Sequence, residues 1–201
     1  MMRMCEILEM ESIDKGSPIV LDNKDTKSIY FLKKGTVKIV NQTSDTVKYI
    51  VKRGNIFGEL SLYDENAASE EIAYALEDCI ICYIESDRME QLMQKHKALK
   101  NGVLKIYGMR IRKLERRLED LLYKDSATRI REFMLDFVNE FGEDDGAQRV
   151  VKKLLSHKDI ANLTNTSRQT VSNILSKMRK EGVLDYNSEY VSVPKANNPS
   201  S

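Results

Sequence analysis

The sequence predicts an α+β protein in three parts: an N-terminal β-roll of the jelly-roll type, a long helix, and a small C-terminal unit of helices and a β-hairpin. Two observations support this fold class. Short β-branched or aromatic runs separated by turn residues fill the first part, whereas helical periodicity begins at Asp87 and recurs as far as Lys180. We therefore place the domain boundaries at 1–98, 99–124 and 125–201.

Three runs in the first part are typical of strands: IYFLKKGTVKIV, TVKYIVKRG and CIICYIE. Polar turn clusters at 22–25 and 41–44 punctuate this half of the chain. Repeated short strands of this kind predict a β-roll or barrel. Only about 18 residues precede the first predicted strand, so we expect an N-terminal helix to be missing or a strand to be altered.

Charge is divided unevenly along the 201 residues. The formal net charge is only +1, so the total favours no class of binding partner. Residues 1–99 hold 13 Lys/Arg against 17 Asp/Glu, whereas residues 100–124 hold 8 against 3 and residues 147–201 hold 9 against 4. This division predicts an acidic front part and a basic back part that faces a polyanion.

An apolar heptad repeat begins at Leu104 and indicates a long helix that pairs with a second copy. Its strict 3.5-residue spacing favours this dimer seam over the alternative, a single amphipathic helix lying on its own roll. In a parallel pair, Arg110 of one chain would face Glu115 of its mate. The predicted seam consists of Leu104, Tyr107, Ile111, Leu114, Leu118 and Leu121.

The C-terminal part has the pattern of a winged helix-turn-helix. Two short helices are predicted at 157–163 and 167–180. Asn165 stands at the tight turn between them, where a positive φ is needed, and Ala161 is small where the helices approach. GVLDY and EYVSV, separated by Asn-Ser, predict a hairpin that forms the wing. The predicted shared core is Ile160, Val171, Ile174 and Leu175.

The second of these helices begins with side chains suited to double-stranded DNA. Arg168 is suited to guanine and Gln169 to adenine, and Asn173 lies on the same face one turn later. The alternative is an ordinary helical hairpin with a solvated polar face, but the four fitting positions and the wing favour DNA. The predicted DNA-binding residues are Ser167, Arg168, Gln169, Thr170, Ser172, Asn173 and Lys177.

GELSL at 58–62 and SRQTVSNILSKMRKEG at 167–182, on either side of the heptad helix, resemble the cyclic-AMP receptor protein/FNR family of bacterial transcription regulators. The resemblance extends over about 16–194. It implies a cyclic-nucleotide-binding-like roll, a dimerisation helix and a homodimer on a two-fold symmetric operator. RNA polymerase would be a further partner if the protein is an activator.

The resemblance also implies where an effector would bind. Family members that bind cyclic AMP use a Gly-Glu pair on the ribose, an Arg-Ser pair on the phosphate and a polar pair of the dimer helix on the base. The first pair is present, but the ungapped positions of the other two hold Ser-Glu and Leu-Glu. Carboxylates at Glu70 and Glu71 would repel a phosphate. We expect an unknown small-molecule effector or none, rather than cyclic AMP, at a degenerate pocket of Gly58, Glu59, Leu60, Ser69, Glu70, Leu114 and Glu115.

The recognition helix departs from the family as well. Gln169 and Asn173 stand where the best-known members have a Glu and an Arg. These changes remove an acceptor for cytosine and a clamp for guanine. The resemblance thus implies a half-site richer in A·T, with one guanine for Arg168.

Other functional classes are less well supported by the sequence. A cupin-like metalloenzyme needs histidines inside the roll, but His96 and His157 both lie outside it. Cys79 and Cys82 would point to opposite faces of one strand, which favours core packing over a metal or redox site. A non-specific nucleoid-type DNA-binding protein fits poorly with the modest charge. We therefore predict no catalytic residue, no metal and no enzymatic activity.

Two further expectations concern location and a loop. The sequence has no apolar run of the ~18–20 residues needed to span a bilayer and no signal-peptide pattern at its start, so we expect a cytoplasmic protein without a membrane partner. The segment GEDDG at 142–146 is predicted to be a charged loop.

Overall fold

The computed structural model describes residues 9–23, 26–58 and 71–195, which form two compact units: one up to Leu114 and one from Glu115. The strands of the first unit are β1 (Glu9–Ile13), β2 (Pro18–Val20), β3 (Asp22–Asn23), β4 (Thr26–Lys34), β5 (Thr36–Asn41), β6 (Thr46–Lys52), β7 (Ile56–Gly58), β8 (Glu71–Ala75) and β9 (Cys79–Glu85). Helix α1 (Ser86–Lys95) follows them, and helix α2 (Lys97–Tyr123) runs from the first unit into the second.

The strands form two antiparallel sheets, which confirms the predicted roll. One has the order β1-β9-β4-β3, with β7 also paired to β4, and the other has the order β2-β8-β5-β6. Side chains from both sheets build one apolar core, in which the rings of Tyr30 and Phe57 stack with centroids 5.1 Å apart. The Tyr30 hydroxyl donates to the carbonyl of Val20 at 3.0 Å, so this buried phenol is satisfied.

The first strand was not expected. Residues 9–13 read EMESI and pair with β9, Glu9 opposite Tyr83 and Ile13 opposite Cys79. The hydroxyl of Tyr83 donates to the Glu9 carboxylate, and this hydrogen bond raises the pKa of Tyr83 to about 12. Backbone pairing at a sheet edge needs no apolar side chains, which is why this charged segment does not look like a strand.

A second apolar cluster covers the outer face of the β4–β9 sheet. The α1 residues Met89 and Met93 pack there with Ile84 of β9 and Val103 of α2. Cys79 and Cys82, which were predicted to point to opposite faces of β9 and to pack in the core, are both 2% exposed. Burial raises the pKa of the Cys79 thiol, which donates to the carbonyl of Glu77 at 3.1 Å.

The second unit begins after α2 with α3 (Ser126–Phe141). Asp125 caps α3 by accepting from the backbone N–H of Thr128 at 2.7 Å. The rest of the unit consists of β10 (Glu143–Asp145), β11 (Gln148–Lys152), α4 (His157–Thr164), α5 (Arg168–Lys180), β12 (Asp185–Tyr186) and β13 (Tyr190–Pro194). Its four strands form an antiparallel sheet in the order β10-β11-β13-β12.

The segment GEDDG at 142–146 was predicted to be a loop, and this prediction was wrong. It contains β10, which pairs with β11 through a turn at Gly146, where φ is +60°. All three β10 side chains are exposed, so the strand lacks the alternation of polar and apolar residues that a sequence pattern can detect. No helix within the described residues has both the length and the apolar character that a membrane span requires.

Gly58 occupies a position where a side chain does not fit. Its φ is +87°, and a Cβ there would lie 2.4 Å from the Ser28 carbonyl oxygen. Gly54 has nearly the same φ, +83°, but nothing within 4 Å of an added Cβ. A comparison of alanine substitutions at the two positions therefore distinguishes the effect of backbone strain from that of steric overlap.

We expect Gly58→Ala to destabilise the first unit by about 3 kcal/mol, because overlap is added to left-handed strain. Gly54→Ala should cost only about 1 kcal/mol, since strain alone remains. Urea unfolding followed by circular dichroism measures both changes. Equal losses for the two variants would show that the contact with Ser28 has no effect.

Candidate DNA interface and effector pocket

The turn between α4 and α5 has the geometry that the sequence predicts. Asn165 has φ +50° and ψ +57°, and the next backbone N–H, that of Thr166, donates to the carbonyl of Ala161 at 2.9 Å. Ala161 is 5% exposed, which leaves no room for a larger side chain. A capping box of Ser156 and Asp159 begins α4.

Helix α5 buries one face and exposes the other. Val171, Leu175 and Met178 are at most 4% exposed, whereas Ile174 is only half-buried and contributes less to the core than expected. The hydroxyl of Ser167 caps the helix by accepting from the N–H of Thr170 at 3.0 Å. Of the predicted DNA-binding residues, Thr170 and Ser172 are half-buried, and the exposed ones are Ser167, Arg168, Gln169, Asn173 and Lys177.

The exposed face of α5 is organised at the helix N-terminus. The Gln169 side-chain amide donates to the Asn173 Oδ1 at 3.1 Å, so these two amides lie together one turn apart. Within the described residues no carboxylate forms an ion pair with Arg168. The arrangement combines a guanidinium with a pair of amides, the groups that bind guanine and adenine edges in the major groove.

Two arginines that the sequence analysis did not select hold the carbonyl end of α4. Arg129 of α3 donates to the carbonyls of Thr164 at 3.0 Å and Asn165 at 3.3 Å. Arg117 of α2 donates to the carbonyl of Asn162 at 2.9 Å. The last carbonyls of a helix lack partners within it, so both guanidiniums act as C-terminal caps and fix the turn. Their partners are 35 and 45 residues away in sequence, so no local pattern reveals these contacts.

The predicted wing is present as β12 and β13. The Asn187 side chain accepts from the N–H groups of Glu189 and Tyr190, both at 2.8 Å, and closes the turn. The charged groups of Arg179 and Lys153 lie 5.3 and 5.8 Å from the centre of the Tyr186 ring. Lys153 also donates to the carbonyl of Asn187 at 3.2 Å, so it connects the start of α4 with the wing.

Helix α2 carries apolar side chains on two faces. The face with Leu99, Val103 and Ile106 packs against the outer cluster of its own roll. Tyr107 of the predicted seam also contacts this cluster and is half-buried, so it belongs partly to the roll side. The other five seam residues, between 37% and 59% exposed, are Leu104, Ile111, Leu114, Leu118 and Leu121.

Arg110, the residue predicted to face Glu115 of a second chain, contacts residues of the first unit. The Arg110 guanidinium donates to the carbonyl of Ile56 at 2.6 Å and lies 4.7 Å from the centre of the Tyr49 ring. The Tyr107 ring is 5.5 Å from the same group. The expected pair between Arg110 and a partner's Glu115 is therefore not supported, because Arg110 is bound to the roll.

The predicted effector pocket lies only partly within the residues that the structure describes. Glu59, Leu60, Ser69 and Glu70 lie outside the described residues. Gly58 ends β7, and Leu114 and Glu115 are exposed on α2.

Glu71, the second carboxylate of the charge argument, is the first residue of β8 and forms an ion pair with Lys48. Its charge is thus compensated, and the case against a phosphate is weaker than the sequence suggests.

Comparison with known families agrees with this geometry. Residues 10–96 match the cyclic nucleotide-binding domain, and residues 128–197 match the Crp-like helix-turn-helix domain. No group of three or more His, Cys, Asp or Glu side chains suited to a metal ion occurs in the described part of the chain.

Regulatory proteins from several bacteria are similar along most of the chain. The anaerobic regulatory protein of Bacillus subtilis is 25% identical over 187 residues, which cover 89% of this chain and 78% of that protein. The global nitrogen regulator of a Synechocystis species is 27% identical over 192 residues, covering 92% and 84%.

Solved structures show the same fold. A mutant of CooA from Carboxydothermus hydrogenoformans superposes with a TM-score of 0.76 at 21% identity, covering 96% of this chain and 86% of that one. FixK2 from Bradyrhizobium japonicum gives a TM-score of 0.77 at 17% identity, covering 95% and 94%. With the two domain matches, these likenesses define a transcription regulator with a cyclic-nucleotide-binding-like domain and a DNA-binding helix-turn-helix. The chain belongs to the cyclic-AMP receptor protein/FNR family.

Proposed function

We propose that this protein regulates transcription by binding a specific, two-fold symmetric DNA operator as a homodimer. The exposed row of Arg168, Gln169 and Asn173 at the start of α5 carries the proposal, because these side chains match base edges. The rival function, non-specific coating of DNA, would not require a guanidinium and two amides at the N-terminus of a recognition helix.

The proposed half-site is rich in A·T and keeps one guanine. Arg168 takes the guanine, and the linked amides of Gln169 and Asn173 take adenine. Selection of binding sites from random duplex DNA tests this directly. The proposal would be contradicted if the selection recovered the guanine-rich site expected for family members with Glu and Arg in place of Gln169 and Asn173. If the selected duplexes shared no site, the result would favour the nucleoid-type alternative.

The dimer is proposed to form along the exposed stripe of α2. Five large apolar side chains in a heptad pattern are not covered by their own unit, and such a stripe is stabilised by pairing. In this proposal residues 1–98 sense an effector, 99–124 dimerise and 125–201 bind DNA. Two recognition helices would then enter successive major grooves about 34 Å apart.

The effector proposed for the roll is a small molecule other than cyclic AMP, or none. At 69–70, where cyclic-AMP-binding relatives are expected to supply Arg-Ser for the phosphate, the sequence is Ser-Glu. Ser69 in place of the arginine removes a Coulomb attraction for the phosphate, and the Glu70 carboxylate in place of the serine adds a repulsion.

The remaining parts of the proposal follow from the family. The relatives are transcription regulators, so we assign no enzymatic activity. The protein would act in the cytoplasm, where the chromosome is, and would contact RNA polymerase if it activates transcription. It would require no membrane.

Two cations of α5 should affect DNA binding differently. Arg168→Ala should weaken binding to the selected site about 10- to 100-fold and remove the preference for guanine, because a base contact is lost. Lys177→Ala should weaken specific and random duplexes alike and lower the salt dependence by about one counterion per protomer, because a phosphate contact is lost. Titration by fluorescence anisotropy at several salt concentrations measures both. Lys95→Ala, on the exposed face of α1, is the control and should change neither.

A charge on the seam should dissociate the dimer. Leu118→Glu places a carboxylate at an a position, and we expect the dimer dissociation constant to rise at least about 100-fold. Met109→Glu is the matched control, since Met109 is also exposed on α2 but lies off the seam. Sedimentation velocity distinguishes the two species, and a dimer that persists in Leu118→Glu would show that α2 is not the interface.

Cyclic AMP titrated calorimetrically into the protein should give no saturable heat below about 1 mM. The double variant Ser69→Arg, Glu70→Ser restores the family's Arg-Ser pair and should gain affinity at least about tenfold. Tight binding by the unaltered protein would overturn the argument from the missing cation.

A further inference from the structure

Three basic residues lie at the start of the recognition helix α5 and at the start of α4. Lys153 precedes α4, His157 is the first residue of α4, and Arg168 is the first residue of α5. Lys153 and His157 line the same small cavity, and among its otherwise apolar lining the only further polar side chain is that of Tyr186. None of these three basic residues forms an ion pair with a carboxylate in the described part of the chain.

The surroundings of His157 disfavour its charged form. Burial lowers the pKa of His157, and the charges of Lys153 and Arg168 lower it further. The imidazole is thus mainly neutral at neutral pH in the free protein.

Within the part of the chain that the structure describes, no carboxylate compensates a charge on His157. On α4, Lys158 follows it and the Asp159 carboxylate is bound to the N–H and hydroxyl of Ser156, at 2.9 and 2.7 Å. From α3, the side chains that line the same cavity are the apolar Met134 and Phe137. On the wing side Tyr186 lies beneath Lys153 and Arg179.

A bound anion would favour the charged form of His157. Phosphate would pair with Lys153 and would favour imidazolium over imidazole at His157. In helix-turn-helix complexes the first helix crosses the DNA backbone while the second enters the groove. Here the first helix is α4. His157 is its N-terminal residue and follows Lys153 by four positions.

We propose that Lys153 and His157 bind one DNA backbone phosphate beside the groove that Arg168 enters, and that His157 takes up a proton as they do so. The inference rests on the proposed DNA-binding function and adds a contact outside α5. Operator affinity then depends on pH. Because the bound state holds the extra proton, affinity increases as pH falls and decreases as pH rises through the pKa of His157 in the complex.

The test uses the full-length protein and the duplex recovered by selection from random DNA, at constant salt from about pH 5.5 to about pH 8. The unaltered protein should bind up to about tenfold more weakly per protomer for each pH unit within the linkage window. His157→Gln should bind with an affinity that does not change with pH. His157→Lys should also give a flat profile but bind tightly throughout, because its charge is permanent.

The chain contains only two histidines, which provides a matched control. His96 is exposed at the end of α1 in the other unit, and His96→Gln should keep the full pH dependence. Proton uptake on binding, measured calorimetrically in two buffers of different ionisation enthalpy, gives a second readout on the unaltered protein. It should be positive near pH 6.5 and absent in His157→Lys.

The outcomes separate this inference from the function beneath it. Absence of DNA binding at every pH would defeat the proposed function itself. Specific binding with a flat profile in the unaltered protein, or a slope that persists in His157→Gln, would overturn the inference while leaving the function intact. Lys153→Gln should weaken binding and lower its salt dependence, and unchanged affinity in that variant would also count against the phosphate contact.

Discussion

Helix α2 has more apolar surface than its own roll covers, and much of the proposed function depends on this excess. One face buries Val103 and half-buries Tyr107 against the outer cluster of the first unit. An adjacent stripe, further along the helix, leaves Ile111, Leu114 and Leu118 more than half exposed over two turns. A lone helix with this stripe would expose a contiguous apolar patch, which soluble monomers rarely tolerate. In the proposed dimer a second copy of α2 would cover this stripe with residues already spaced for it, and it would bring two recognition helices to one DNA.

The same helix is bound to backbone carbonyls at two places. Arg110 donates to Ile56, two residues before Gly58, and Arg117 donates to Asn162 at the end of α4. Burial lowers the pKa of Arg117, although a guanidinium remains charged at any physiological pH. A carbonyl bond is directional and short in range, so a small displacement of the strand or the helix alters it. Each unit therefore holds its own part of α2 with one such bond, the first unit beside β7 and the second at the end of α4.

The sequence predicted those parts of the fold that are coded by local pattern. The heptad of α2 and the positive φ of Asn165 both depend on residue types a few positions apart. What it missed depends on distant partners. EMESI becomes an edge strand only because β9 is available to pair with it, and Arg129 caps a helix 35 residues away. The ion pair of Glu71 has the same origin, since its partner Lys48 lies on β6, on the far side of β5 in the sheet.

Several basic residues of the second unit form ion pairs, although the whole chain has a net charge of only +1. In the second unit, Arg131 binds Glu181, Arg179 binds Asp185 at 2.7 Å and Arg116 binds Asp136 at 3.2 Å. These pairs compensate basic charge on the sides of the helices, whereas Arg168, the first residue of α5, forms no ion pair with a carboxylate of residues 9–23, 26–58 or 71–195. Because the Debye length is about 8 Å at physiological salt, a phosphate interacts mainly with the cations nearest to it. In the proposed interface the local placement of a few cations, rather than total charge, would therefore direct the phosphates, and for this reason the protonation of one imidazole among them would affect affinity.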